Sequence, residues 1–231
     1  MLPRPDDHAF ASGGSFGKPE PAGLLSRALG RLGSMLIAAN DRRLARAIWV
    51  QFELGAVLGE DVRFGYGARL INLAGRDRAR VGARSVIRGV IRLEANANLE
   101  VGEAVYIGDG SLISAAAAVQ IGDGTLIAHD VQIFDNASHP IDPDERRRQW
   151  RHILKIEKIP RADLVPLSGK PVIVGRDCWL GFGSVVMAGS KIGDRSIVSA
   201  GSIVRGDVPA DVIYRAGPVG EPEITPIRRE A

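Results

Sequence analysis

VGRDCW LGFGSV VMAGSK IGDRSI VSAGSI VRGDVP, residues 174–209, repeats every six residues without a slip. Each hexad opens on an aliphatic residue: Val174, Leu180, Val186, Ile192, Val198 and Val204. A helix repeats at 3.6 residues and a strand at 2, so a sustained period of six belongs to a chain that returns to the same place at each coil. Three short strands of six residues make one coil of about eighteen, and successive coils stack at roughly 4.8 Å as a parallel β-helix. The first residue of each hexad points inward, and Gly often follows it at the turn, where positive φ costs least. The fifth position holds Cys178, Ser184, Ser190, Ser196 and Ser202, small enough for the corner of a narrow prism.

The same grammar runs upstream with offsets. Val101, Ile107 and Ile113 open VGEAVY, IGDGSL and ISAAAA, and Ile121, Ile127 and Ile133 open the next three hexads after a shift of two residues. Val81 and Ile87 mark a weaker coil, and Leu58, Phe64 and Leu70 another. The expectation is an all-β domain over 58–209 with about five to six coils. A β-sandwich has no need of such phase-locked aliphatics.

Four segments lie outside the coils. Residues 1–22 are rich in Pro, Gly and Ser and are expected to be disordered. Residues 23–57 read as a helical extension, with Leu24, Leu25, Ala28, Leu29 and Leu32 on one face and Leu44, Ile48, Trp49 and Phe52 on another. Its arginines, Arg27, Arg31, Arg42, Arg43 and Arg46, suit either a cap with solvated charges or peripheral contact with an anionic membrane. Residues 134–172 are a long excursion from the coils, the kind of segment that carries function on a rigid scaffold. Residues 210–231 form a carboxy-terminal tail.

Composition narrows the classes further. The 231 residues are 45% hydrophobic but only 5% aromatic, so the core is aliphatic. A lone cysteine excludes an internal disulfide and a cysteine-based metal cluster. No stretch approaches a membrane span, and MLPRPDDHAF offers no apolar run for a signal peptide, so a cytoplasmic protein is expected. A net charge of +3 fits an anionic small molecule and is too mild to point to nucleic acid.

The string Ile133-Phe134-Asp135-Asn136-Ala137-Ser138-His139-Pro140-Ile141-Asp142, followed by Lys170-Pro171-Val172-Ile173-Val174-Gly175-Arg176-Asp177-Cys178-Trp179-Leu180-Gly181, resembles the hexapeptide-repeat acetyltransferases. Val198-Ser199-Ala200-Gly201-Ser202-Ile203-Val204 and Val208-Pro209 extend the likeness. Within that family it is most similar to the maltose and galactoside O-acetyltransferases and the polysaccharide-modifying acetyltransferases. The resemblance implies a left-handed β-helix, a homotrimer, and acetyl-CoA as acyl donor in clefts between subunits, with no metal. It places the catalytic histidine at His139. It also places Trp179, Gly181, Ala200 and Gly201 along the pantetheine arm, with Arg205 and Arg215 as cations for the CoA phosphates.

The chemistry supports that assignment independently. Attack of a hydroxyl on a thioester needs a base working near neutral pH, which imidazole provides. Asp135, four residues before His139, is either its orienting carboxylate or an ordinary turn aspartate. Trp150, among the basic residues of the excursion, is either a platform for a sugar face or a packing anchor. His129, at the third position of its hexad, reads as outward-facing, and His152 as a surface residue or a CoA-phosphate contact. Cys178, in a buried corner, is not expected to act as a nucleophile. Where sugar acetyltransferases carry acidic residues and Asn, this chain has Ser114-Ala115-Ala116-Ala117-Ala118. The expected function is O-acetylation of a sugar hydroxyl in surface polysaccharide or glycoconjugate biosynthesis. Its alternatives are N-acetylation or antibiotic acetylation on the same fold, and more remotely a zinc carbonic anhydrase-like enzyme or a non-catalytic scaffold. His129, His139 and His152 lack the spacing of a three-imidazole zinc site.

Overall fold

The aliphatic beat closes into a prism. The computed structural model describes residues 24–160, 163, 165–216 and 222–226, with side chains from residue 35 onward except at 37 and 38. The disorder expected of residues 1–22, the shared face of Leu24 to Leu32, and Arg228 and Arg229 lie outside what is described. The chain divides into two compact units, Met1–Arg43 and Leu44–Ala231. Helix α1, Leu24–Gly55, contributes to both.

The second unit is a parallel β-helix with three faces, consistent with the left-handed form expected. The first face carries seven parallel strands, from Val57–Leu58 to Asp207–Val208. The second carries seven more, from Arg63–Phe64 to Val212–Arg215, and Glu223–Pro226 adds an antiparallel strand at its edge. The third carries six, from Arg69–Asn72 to Ile203–Val204. Among the described residues that makes six complete coils and a two-sided seventh, more than the five to six expected. The extra length comes from the strand Val212–Arg215, which continues the second face beyond residue 209.

Register explains why the upstream beat is less clean. Val174, Leu180 and Val186 sit beside Ile192, Val198 and Val204, eighteen residues on. Val101, Ile107 and Ile113 sit beside Ile121, Ile127 and Ile133, twenty residues on. The two additional residues lengthen the strands flanking one corner, as in Leu112–Ala115 on the third face and Ala118–Ile121 on the first. The upstream coils are therefore wider at the corner between the third and first faces.

The first residue of every downstream hexad is buried, and so is every small corner residue from Cys178 to Ser202. Corner hydroxyls bridge coils: Ser85 Oγ donates to the Gly102 carbonyl and Ser196 Oγ to that of Pro209. Outside the corners, the Arg176 backbone N–H and then its guanidinium hold the Asp194 carboxyl below the usual carboxylate range. The far end of α1 covers the first coil: Phe52 is fully buried and stacks on Phe64 at 4.2 Å, and Gln51 Oε1 accepts from the Leu70 N–H. Arg46 is exposed, as a capping helix with solvated charges requires. Among the described residues, no helix is long and apolar enough to cross a membrane.

Candidate active site

The excursion leaves the third face at Phe134, the last residue of the strand Gln132–Phe134. Asp135 is fully buried there, and its two oxygens accept from the backbone N–H groups of Ala116 and Ala117, both at 2.7 Å. The Asn136 side chain donates to the same carboxylate and to the Ser114 carbonyl, while its Oδ1 accepts from the Ser138 N–H. The Lys170 N–H returns to the Asp135 carbonyl, and Asn136 forms an antiparallel bridge with Gly169. The two ends of the excursion are thus stitched to the widened corner. Ala116 and Ala117 explain the run of small residues, because their backbone has to come within reach of a buried carboxylate.

From this anchor the chain turns through Ser138 at a φ of +62° and presents an exposed His139. Helix α2, Pro143–Ile153, follows at once: Asp142 caps it by accepting from the N–H groups of Asp144 and Glu145, and Pro143 begins its first turn. Arg146 reaches back to the carbonyls of Pro140 and Ile141, at 3.0 and 2.7 Å. One turn later, Gln149 Oε1 lies 2.7 Å from His139 Nδ1.

His139 lines a cavity of about 970 Å³. One wall is the third-face column Arg92, Ser114 and Phe134, stacked in register on successive coils. Facing it, α2 contributes Gln149, His152 and Ile153. Arg92 also pairs with Glu94 at 3.0 Å. The space is large enough for a small-molecule acceptor and mixes apolar walls with a few polar groups, as ligand sites do.

The sequence-predicted residues separate into groups. Asp135 does not serve the imidazole, since its oxygens are taken up by backbone N–H groups and Asn136. Trp150 is 53% exposed and does not line the cavity: one residue beyond Gln149, it is turned about 100° away around the helix. Phe134 is the aromatic side chain that does line it. His152 faces the cavity rather than bulk solvent, and its Nδ1 is buried without a partner among the described residues. His129 is exposed, 3.9 Å from Asp109.

The expected CoA contacts lie elsewhere in the coils. Trp179 is half exposed on the second face. Gly181 is buried, and a Cβ there would meet the Ala200 N and Val198 O at 2.6 and 2.7 Å, so it first serves close approach of two coils. Ala200 and Gly201 are exposed at the next corner, Gly201 with a φ of +68°. Arg205 is exposed, and Arg215 pairs with Glu223 across the terminal hairpin. None of these residues lines the His139 cavity. Burial pushes the Cys178 thiol up, and its Sγ lies 3.2 Å from the Gly193 carbonyl, an environment that keeps it protonated.

Gln149, Phe134 and His152 are the site residues that sequence reasoning missed or placed elsewhere. The signal for Gln149 was present: Arg146, Gln149 and Ile153 follow the spacing i, i+3, i+7 and share one helix face.

Comparison with known proteins agrees with this architecture. Residues 171–206 match the family described as bacterial transferase hexapeptide (six repeats). Galactoside O-acetyltransferase from Lactococcus lactis subsp. lactis is 33% identical over 79 residues, 34% of this chain and 30% of the relative. The chain spans about half or less of the length of the first curated relatives it matches. The crystal structure of the polySia specific acetyltransferase NeuO shares the fold with a TM-score of 0.52 and 23% identity, over 76% of this chain and 78% of that one. An N-acyltransferase, AntD from Bacillus cereus, solved as a mutant with dTDP-4-amino-4,6-dideoxyglucose and coenzyme A, has a TM-score of 0.55 and 17% identity, over 75% of this chain and 84% of that one. The repeat in residues 171–206 matches that of the bacterial hexapeptide transferases, and part of the chain is similar in sequence to acetyltransferases.

Proposed function

We propose that the protein transfers an acetyl group from acetyl-CoA to a sugar hydroxyl, with His139 as general base. The observation that carries this reading is the exposed imidazole of His139, fixed through one nitrogen by Gln149 on the wall of a cavity sized for a small acceptor. The sugar O-acetyltransferase among its relatives supports the same class of reaction.

In the reaction, the free nitrogen of His139 takes the proton from the acceptor hydroxyl as that oxygen attacks the thioester carbonyl carbon. The new C–O bond forms, the C–S bond breaks, and the imidazolium returns its proton to the departing thiolate, giving an acetyl ester and free CoA. Phe134 offers a flat apolar surface for a sugar face, and Ser114 and His152 offer polar contacts beside it.

The donor is assigned to Trp179, Ala200 and Gly201, with Arg205 as a cation for its phosphates. Since none of these lines the His139 cavity within one chain, the complete site is assigned to neighbouring copies in a homotrimer. A second observation supports assembly. On the second face, beyond Arg63 of the first coil, the outward positions Val86, Tyr106, Leu126, Trp179, Ile197 and Ile213 form an apolar column in register, whereas the column Arg80, Glu100, Gln120, Ile173 and Lys191 on the first face is polar at four of its five positions.

The test is a thiol-release assay with acetyl-CoA against matched sugars, amino sugars and amino acids. Release with sugars lacking an amine supports O-acetylation. Release confined to amines assigns N-acetylation instead, and no release with any acceptor overturns the reading.

A further inference from the structure

We infer that Gln149 is the positioning residue of His139: it selects the imidazole tautomer and does so without placing a negative charge beside it. This inference rests on the proposed role of His139 for its catalytic meaning, but its geometry is independent of the acceptor.

His139 Nδ1 lies 2.7 Å from Gln149 Oε1, an acceptor, so the nitrogen facing it carries the hydrogen. The neutral ring is then the Nδ1–H tautomer, and Nε2 holds the lone pair available to a hydroxyl. Reversing the Gln149 amide would bring its NH₂ group to the same nitrogen and select the opposite tautomer. The direction of this one hydrogen bond therefore decides which nitrogen can act as base.

Two features place Gln149 beside the ring. Arg146, one turn earlier on the same face of α2, clamps the carbonyls of Pro140 and Ile141 immediately after His139. Asp142 caps the helix and fixes where it starts. The phase of α2 relative to the histidine is set from both sides, and Gln149 falls at the position that meets the ring. The oxygens of the buried Asp135 are spent on Ala116, Ala117 and Asn136, so that carboxylate does not take this task. Choosing an amide has a consequence for the base. A carboxylate at the same position would set a negative charge against the ring and favour its protonated form, and an amide sets none there.

The experiment uses the full-length chain labelled with ¹⁵N-histidine, with His139→Ala assigning the His139 signals. Long-range ¹H–¹⁵N correlation reads the tautomer directly and needs no acceptor. The expected result is a protonated Nδ1 and an unprotonated Nε2 in the wild type, and a mixture of tautomers in Gln149→Leu with an unchanged melting temperature. In Gln149→Glu, the Nδ1–H tautomer is restored and the pH midpoint of the His139 signals moves up by about one unit or more. With an active acceptor, the acid limb of the rate profile moves the same way, and Gln149→Leu lowers kcat by roughly tenfold or more while KM stays constant. A wild-type ring protonated on Nε2, or a tautomer ratio and midpoint unaffected by both substitutions, would overturn the inference. Normal tautomer effects combined with no loss of transfer in His139→Ala would instead count against the general-base reading while leaving the Gln149 geometry intact.

Discussion

Two buried residues illustrate how position decides role. Asp135 and its neighbour Asn136 secure the departure of the excursion, and the Asp135 carboxylate is matched to two N–H donors. Asp135→Ala leaves both unpaired, at about 1–3 kcal/mol each. Asp135→Asn does little better, because an amide offers one acceptor and turns an NH₂ group toward the second donor. Both variants are expected to lower the urea midpoint, with Asn recovering less than half of the loss. Full stability of Asp135→Asn would show that the charge and both lone pairs are dispensable. Cys178 makes a second case. Burial raises the folded thiol above its ordinary value of about 8.5, so on raising the pH the unfolded chain loses its proton first. The thiol's contribution to stability is present below that pH and declines above it. Cys178→Ser, which places the residue found at the equivalent corners, should flatten the fall in urea midpoint between pH 7 and 9.5. The native thiol should also resist alkylation until the protein unfolds.

At the scale of the element, α2 acts as a bracket for the His139 loop and adds little to the core, since none of its residues is buried. Removing its cap with Asp142→Ala costs about 1 kcal/mol of helix stability, and Arg146→Ala frees the Pro140 and Ile141 carbonyls. Both substitutions should lower the acetyl-transfer rate by several-fold while the global melting temperature, set by the coils, moves by less than about 2 °C. A large drop in melting temperature would show instead that α2 is part of the folding unit. The sequence made the coils legible because a narrow prism repeats one demand at every turn: an aliphatic residue inward and a small one at each corner. It made the site only partly legible. His139 stood out for its place in the interruption, but whether Asp135 pointed to the ring or to the backbone depended on the Ala116–Ala117 corner of the preceding coil, a contact across 19 and 18 residues that no local spacing encodes. Trp150 drew attention as an aromatic residue, and a rotation of 100° along α2 gave the contact to Gln149 instead.

For the whole molecule, the apolar column on the second face and the separation of Trp179, Ala200 and Gly201 from the His139 cavity lead to the same expectation. Light scattering after size exclusion should give three copies per particle, and Leu126→Glu, which puts a charge in the middle of that column, should shift the population toward monomer and remove transfer activity together. A fully active monomer would contradict a site shared between copies. The central claim, however, concerns chemistry, and the most direct test of it is release of CoA thiol from acetyl-CoA by the wild type and His139→Ala across a panel of sugars, with CoA affinity measured in parallel. The account predicts sugar-dependent release by the wild type, a loss of about 10²-fold to 10⁴-fold in the variant, and unchanged CoA affinity. Equal release by the two proteins would contradict it.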